Sequence, residues 1–504
     1  MLPSAAWQKV LAGAAATASS SAPPPNWNIT HLFGPSLSSS ASIFFASDTN
    51  YSHQVTQPWT RHAAPSFVAT IQPATVGDVQ NIVKIAAAHK IPFLTTGGGH
   101  GLSIQMAQVK AGLQIDLQNF QSVRFDPATE LVTVGGAVKF QQLIAPLYSA
   151  GYQFPLGTAY CVGVVGSTLG AGVSANQGYM GLLIDLLEEV QLVTSDGGLV
   201  TASRTQNEDL FWALRGAGAN FGIVTAATYR VPRAVNRGLV TNVNYLFPSA
   251  KKAGAVWKYL AGLDQGMAER MALNIATFPG GEGVERSLVV NVNYAGPLSE
   301  AAPHLAAISA LKPLRTEVLE DVAWPDVFRT SYFGVEDTKA CSRNQHVNMR
   351  SVGAKSTPDV ETILAFLEEM ERFSEDHPDL LAALVIHRFA TQKVLDAADD
   401  ENPGAYPHRD LKMHIQLEIE AKSNKKDKVM DEFLDAARQN FTKASGYDTP
   451  VVYVNFAHGD EGPAAWYGKK NLGKLAKLKK DWDPKGLFSF YDAVASEKLI
   501  KEDM

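Results

Sequence analysis

Two glycine-dense blocks in the first half of the chain, TTGGGHG at Thr95 to Gly101 and GTAYCVGVVGSTLGAG at Gly157 to Gly172, constrain it more than any other feature. Glycine costs about 0.5–1 kcal/mol relative to alanine when it is ordered in regular structure, so such clusters need a reason. Close approach of bare backbone to a ligand is the usual one. Successive N–H groups in these turns form an anion-binding concavity that suits a diphosphate. One block alone reads equally well as tight turns in a β-rich domain. Two blocks, with His100 inside the first, read as a cradle for a pyrophosphate-bearing cofactor.

The surrounding text begins as strand, helix, strand. FVATIQ from Phe67 is followed by a turn at Pro73 to Thr75 and a helix over Val76 to His89, with Val79, Ile82, Val83 and Ala86 on one face. IPFLTT then runs into the first glycine block. A Rossmann turn requires a helix N-terminus there, but GLSIQMAQ and LQIDLQNF follow with no helix start, so that fold is disfavoured. Further on come a strand at Glu130 to Gly135, a helix over Lys139 to Ser149 stopped by Gly151, and a hairpin turn at Asp196-Gly197. NEDLFWALRGAGANFGIVTAATYRV then reads as helix, glycine turn and strand.

From Asn236 to Thr449 glycine thins out. Alternating segments such as GLVTNVNYLF, SLVVNVNYAG, LLAALVIHRFA and LKMHIQLEIEAK are interleaved with amphipathic helices, AAPHLAAISALK and VETILAFLEEMERFSE being the clearest. This predicts an antiparallel sheet backed by helices. A tail over 450–504 reads as strand, loop and amphipathic helix, with Leu472, Leu475 and Leu478 buried and the lysines from Lys469 to Lys480 on a solvated face. The expected organisation is α+β: a leader over 1–25, a cofactor domain over 26–235, a substrate domain over 236–449 and a returning C-terminal segment.

At 504 residues the chain is too long for one core, and 46% hydrophobic with 19% charged residues is ordinary for a globular enzyme. A net charge of -6 points away from nucleic acid and anionic membranes. No apolar run is long enough for a membrane span, and the Ser/Ala/Pro-rich start reads as a flexible leader rather than a signal peptide, so cytoplasmic and secreted locations both stay open. Sequons at Asn28, Asn50 and Asn440 occur at about chance frequency. Two cysteines, Cys161 and Cys341, give no disulfide framework.

The residues resemble the vanillyl-alcohol-oxidase, or PCMH-type, superfamily of FAD-linked oxidases, and within it the berberine-bridge-enzyme-like branch. The resemblance rests on TGGGH, VGVVG-x-x-LG-x-G, DLFWALRG-x-G-x-NFGIVT, and YVN with WDPKGLFSF, and it has a looser echo at Tyr406 to Asp410. It implies a PCMH-type FAD-binding fold of two α/β subdomains joined to the substrate domain. It also implies that Thr96, Gly97, Gly98, Gly99, His100 and Gly101 wrap the FAD diphosphate, with Gly157, Thr158, Cys161, Gly163, Gly166, Ser167, Gly170, Gly172, Gly222 and Val224 completing the cofactor site. His100 would bond to the flavin's 8-methyl carbon, a reaction open to a neutral imidazole. Two departures stand out. Thr96 replaces an arginine found in many relatives, removing a positive charge near the cofactor. The second flavin-linking cysteine of bicovalent relatives aligns with Ala159, two residues from Cys161, so a single link through His100 is favoured.

Tyr453 and Asn455 fill the Y-x-N pattern that faces the flavin in the family, and could stabilise a developing anion. On LKMHIQLEIEAK, alternation puts Lys412, His414, Gln416 and Glu418 on one face. His414, Gln416 and Glu418 are therefore candidates for the base, with a solvent-facing polar stripe as the plain alternative. The expected activity is an oxidase that passes hydride from a small or medium organic substrate to flavin, with dioxygen leaving as hydrogen peroxide. Alternatives are a redox-neutral cyclase or isomerase retaining FAD as scaffold, and a non-catalytic flavin-binding protein. No metal, nucleic acid or membrane partner is expected, and the oligomeric state stays open.

Overall fold

Three β-sheets organise the described residues of the computed structural model, 27–157, 159–280, 285–334 and 340–495. The expected leader and Thr158 lie outside them. The first sheet holds β1 (Ser42–Phe45), β2 (Phe67–Gln72), β3 (Phe93–Thr96) and β4 (Gly112–Asp116) in the order β1-β2-β4-β3. Two of its three pairings are those of a β–α–β unit: β2 and β3 both run parallel to β4, and β1 closes one edge antiparallel. The helix Val76–His89 covers it, started by a reciprocal Thr75–Asp78 capping box. It buries Val79, Ile82, Val83 and Ala86, as the 3.6-residue spacing predicts. Burial of each of the larger three contributes about 1.5–3 kcal/mol.

The second sheet is antiparallel, with β5 (Val123–Asp126), β6 (Leu131–Gly135), β7 (Leu187–Val193), β8 (Leu199–Ser203) and β9 (Ile223–Arg230) in the order β5-β6-β9-β7-β8. The Asp196-Gly197 turn joins β7 to β8, with Gly197 at φ +75° and Asp196 accepting from Thr194 Oγ1 and Gly198 N. The first glycine block is followed by a short 3₁₀ turn and β4 rather than an α-helix, in keeping with the exclusion of a Rossmann turn.

The third sheet is seven-stranded and antiparallel: β10 (Leu239–Phe247), β11 (Met271–Phe278), β12 (Ser287–Tyr294), β13 (Arg315–Ala323), β14 (His346–Ala354), β15 (Leu381–Phe389) and β16 (Met413–Ala421), in the order β13-β10-β12-β11-β15-β16-β14. One face, with Val243, Leu273, Val290, Ile386 and Ile415, packs on the helices Gly254–Gly262, Leu298–Ser309, Val360–Asp376 and Asp427–Lys443. The opposite face is polar and looks toward the glycine blocks. Among the described residues no helix is long and apolar enough to cross a membrane.

Two expectations for the tail change. Residues 451–456 form no strand. They run extended into a 3₁₀ turn at Val454–Phe456, because the segment threads between elements whose isolated groups take up its backbone. Gly353 N donates to Val451 O at 2.8 Å and Val452 N to Ala465 O at 3.2 Å. On the helix Lys469–Trp482, Leu475 and Leu478 are buried and Leu472 packs partly beneath them, but Lys479 is buried too. Its ammonium donates to Asp483 and to the carbonyls of Asn220 and Phe488, fastening the tail to the β9 approach.

Candidate active site

Both glycine blocks meet. β3 delivers the first block, and the second leads into the helix Val164–Gly170. A Cβ on Gly98 would overlap the backbone of Gly163, and one on Gly97 would lie 2.7 Å from the carbonyl of Gly136. A side chain at Gly98 would force the two blocks apart, and one at Gly97 would push the first block off the turn at Gly136. Gly99 has φ +71°, a left-handed conformation that favours glycine. Its carbonyl accepts from Arg343 Nη1 at 2.8 Å, while Arg343 Nη2 donates to Gly98 O at 2.8 Å. A positive charge, expected to be missing at Thr96, thus stands against the block on Arg343, 244 positions beyond Gly99.

The blocks form one wall of a cavity of about 780 Å³, large enough for a dinucleotide-sized cofactor with room beside it. Thr96, Gly97, Gly98, Gly99, His100, Gly101, Gly157, Gly163, Gly166, Ser167, Gly170, Gly222 and Val224 all line it. The polar face of the third sheet forms the other wall, with Gln416 and Glu418 among its lining residues. Gly172 and His414 stand behind that lining, next to Tyr453.

His100 is the distinctive group of the cradle. Its Nε2 is buried and has no protein partner. Burial, then the charges of Arg343 and Lys139, lower its pKa to about 3, so the imidazole is neutral at any ordinary pH. A bare glycine cradle, a polar atom without a partner and a neutral nucleophile fit an FAD attached at His100.

Cys161 requires a correction. It is joined to Cys341 across 180 residues, with a Cα–Cα distance of 5.8 Å, and so has no thiol to offer a cofactor. The bond ties the second glycine block to the segment that carries Arg343. Chain-entropy arguments give about 5 kcal/mol for a loop of this length, with about 2–4 kcal/mol typical in practice. Cys161→Ser is expected to lower thermal stability by that order without loss of bound flavin, measured by calorimetry alongside flavin absorbance.

Across the cavity, Tyr453 is 3% exposed, and its phenol oxygen accepts from Gly172 N at 3.1 Å, Val173 N at 3.3 Å and Asn455 Nδ2 at 2.7 Å. Asn455 Nδ2 also donates to Ser167 O at 2.8 Å, which fixes the amide's orientation. A Cβ at Gly170 would overlap the Asn455 amide, which is why that step of the block is glycine. Burial raises the Tyr453 phenol to about 12, opposed by its three donors. His414 packs edge-on to the Tyr453 ring at 5.6 Å, and burial lowers its pKa to about 3.

Sequence reasoning did not single out Arg343 or His387. His387 lies on β15 and lines the cavity. It faces Asn274 Oδ1 at 2.9 Å and Gln416 Oε1 at 3.2 Å. The Tyr406–Asp410 segment acts as a clasp. Tyr406 N donates to Arg215 O at 3.0 Å beside Gly216, and Arg409 makes a two-pronged pair with Asp185 at 2.7 and 3.1 Å.

This arrangement defines a flavoprotein oxidoreductase. An FAD binding domain matches residues 68–203, and a berberine and berberine-like domain matches residues 452–495. FAD-linked oxidoreductase tazG of Aspergillus terreus is 42% identical over 470 residues, covering 93% of this chain and 95% of the relative. A xylooligosaccharide oxidase from Myceliophthora thermophila C1, solved with xylobiose, superposes with a TM-score of 0.78 at 24% identity, covering 93% and 99% of the two chains. A glucooligosaccharide oxidase from Acremonium strictum, carrying a 6-S-cysteinyl, 8α-N1-histidyl FAD, superposes with a TM-score of 0.78 at 20% identity, covering 92% and 98%. The chain belongs to the berberine-bridge-enzyme-like family of FAD-linked oxidoreductases and has its PCMH-type fold.

Proposed function

We propose that this protein is an oxidase that holds FAD by one covalent bond, through His100, and oxidises a small or medium organic substrate bearing a hydroxyl or N–H group. In this reading the FAD-binding unit spans 26–235, the substrate unit 236–449, and the segment from 450 returns to complete the site. The observation that carries the reading is the pairing, across one cavity, of the neutral His100 in its glycine cradle with the three-donor phenol of Tyr453. FAD supplies a hydride acceptor whose electrons pass on to dioxygen, giving hydrogen peroxide.

The residues of the chain do the rest. Gly97, Gly98, Gly99 and Gly163 bring bare backbone to the diphosphate. Arg343 and Lys139 hold positive charge beside His100. Tyr453 keeps its proton through neutral pH and lends a hydrogen bond from it to the substrate oxygen or nitrogen, while a base on the sheet, the lining carboxylate Glu418, takes the O–H or N–H proton. Gln416 and Glu418 contact the substrate from the sheet. The closed Cys161–Cys341 bond supports one flavin link rather than two. Carbohydrate alcohols and specialised metabolites are the substrate classes this reading favours, the first because of the oligosaccharide oxidases that share the fold.

The test is a screen of sugars, alcohols and phenolic or amine metabolites for peroxide release, followed by anaerobic mixing with each hit. Bleaching of the flavin and its rapid recovery in air are expected. Product formed without bleaching would replace this reading with a redox-neutral cyclase or isomerase.

A further inference from the structure

The polar face of the third sheet carries a row of side chains in register across six strands: Glu317 on β13, Asn244 on β10, Asn291 on β12, Asn274 on β11, His387 on β15 and His414 on β16. Asn244 and Asn291 are fully buried. A buried amide left unpaired costs about 1–3 kcal/mol, so their bonding is expected to be complete, and it has a direction. The Glu317 carboxylate and the Thr330 carbonyl only accept, so Asn244 donates from Nδ2 to Glu317 Oε2 at 3.0 Å and to Thr330 O at 2.8 Å and turns Oδ1 inward. Asn291 must then donate from Nδ2 to Asn244 Oδ1 at 2.8 Å, which leaves its own Oδ1 to accept from Asn274 Nδ2 at 3.4 Å. Asn274 Oδ1 is left facing His387 Nδ1 at 2.9 Å.

An acceptor at that point requires a hydrogen on Nδ1. Burial lowers the ring's pKa to about 4, so His387 is neutral, and its Nε2 holds only a lone pair. That nitrogen faces Gln416, 3.2 Å away, at the cavity wall. Atoms 3.2 Å apart admit no donor between them, so with Nδ1 protonated the Gln416 amide turns over and donates from its nitrogen to that lone pair. A hydroxyl or N–H arriving from the cavity can take the place of that amide.

We propose that the asparagine row, anchored on Glu317 and the Thr330 carbonyl, locks His387 in the Nδ1–H tautomer and so makes Nε2 the acceptor for a hydrogen-bond donor on the substrate. The inference rests on reading this face as the substrate-facing wall. His387 then selects hydroxyl- or N–H-bearing substrates, because a molecule that displaces the Gln416 amide without a donor of its own leaves Nε2 unpaired. Glu317, Asn244, Asn291 and Asn274 are positioning residues that act through it.

The test is nitrogen NMR of the full-length, flavin-loaded protein labelled with nitrogen-15 at histidine, at neutral pH, with His387 identified by the signal lost in His387→Asn. In the wild type, Nδ1 is expected at a protonated and Nε2 at an unprotonated shift. Glu317→Gln alone is expected to leave the tautomer unchanged, because the Thr330 carbonyl still takes an Asn244 hydrogen. Asn274→Leu removes the oxygen that faces Nδ1, Asn291→Leu cuts the row, and a mixture of tautomers is expected in both. A wild-type proton on Nε2, or an unchanged Nδ1–H tautomer in folded Asn274→Leu, overturns the proposal. If Asn291→Leu does not fold, the half-buried Asn274→Leu decides alone. The measurement needs no substrate and no turnover, so failure of the oxidase reading and failure of the tautomer lock are separable.

Discussion

Replacing Tyr453 with phenylalanine is expected to slow anaerobic flavin reduction by about 10²–10³-fold, the usual consequence of removing one preorganised donor from a site of developing negative charge. The flavin is expected to stay attached, because the proposed bond is made by the His100 imidazole and the substitution leaves that imidazole in place. The substitution also strands Gly172 N, Val173 N and one Asn455 hydrogen, all of which now converge on one oxygen. Each unsatisfied buried donor costs about 1–3 kcal/mol, so a lower melting temperature accompanies the kinetic loss. Stopped-flow reduction on flavin-replete protein, measured well below the new melting temperature, separates the two effects. A reduction rate within a few-fold of wild type would show that Tyr453 only buttresses the glycine block. The phenol's pKa, pushed up to about 12 by burial, adds a sign: Tyr453 stays protonated from acid through neutral pH. Its contribution as a donor is lost only as strongly alkaline pH approaches that value.

Local patterns made the sheets and the cradle legible. The helix Val76–His89 matched its spacing, and the Asp196-Gly197 turn fell between two strands as that dipeptide demands. Period-two alternation on β16 put Gln416 and Glu418 on one face, and the fold turns that face to the cavity instead of to solvent, the alternative the alternation left open. What local pattern could not supply was the partner of each group. Arg343 completes the cradle from a loop 244 residues beyond Gly99, and no periodicity announces it. Cys161 and Cys341 were too few to form a recognisable framework, and their pairing depends on a fold that brings residues 180 apart together. The alternating asparagines in TNVNY and VNVNY did carry a signal. An apolar/asparagine alternation on neighbouring strands predicts one polar face, although only the register lines up Asn244, Asn291 and Asn274 with His387. Residues 451–456 misled because VVYVNF has strand composition but meets its neighbours by isolated bonds, Gly353 N on β14 to Val451 O and Val452 N to Ala465 O, instead of a ladder.

Substituting His100 with alanine is expected to abolish the covalent flavin altogether. The intact mass would fall to that of the polypeptide alone, and acid precipitation would leave the yellow colour in the supernatant instead of the pellet. The reasoning rests on the state of the imidazole. A protonated ring is no nucleophile, and here burial, reinforced by Arg343 and Lys139, lowers the pKa to about 3. The neutral form therefore prevails at every pH above that value, and the extent of attachment in the wild type is expected to be flat between mildly acidic and mildly alkaline conditions. With the Cys161 sulfur held by Cys341, no second side chain in the described cradle offers a thiol to take over. The glycine blocks themselves are untouched by the substitution, so FAD should still bind, but reversibly. A covalent link also raises the flavin's potential, so its loss is expected to lower kcat by about tenfold or more, each factor of ten being about 1.4 kcal/mol of barrier. A covalent adduct surviving in His100→Ala and mapping to a peptide containing Cys161 would show that the disulfide is not the resting state of that cysteine. An adduct lost in His100→Ala but retained in Cys161→Ser is the pattern a single histidyl link requires.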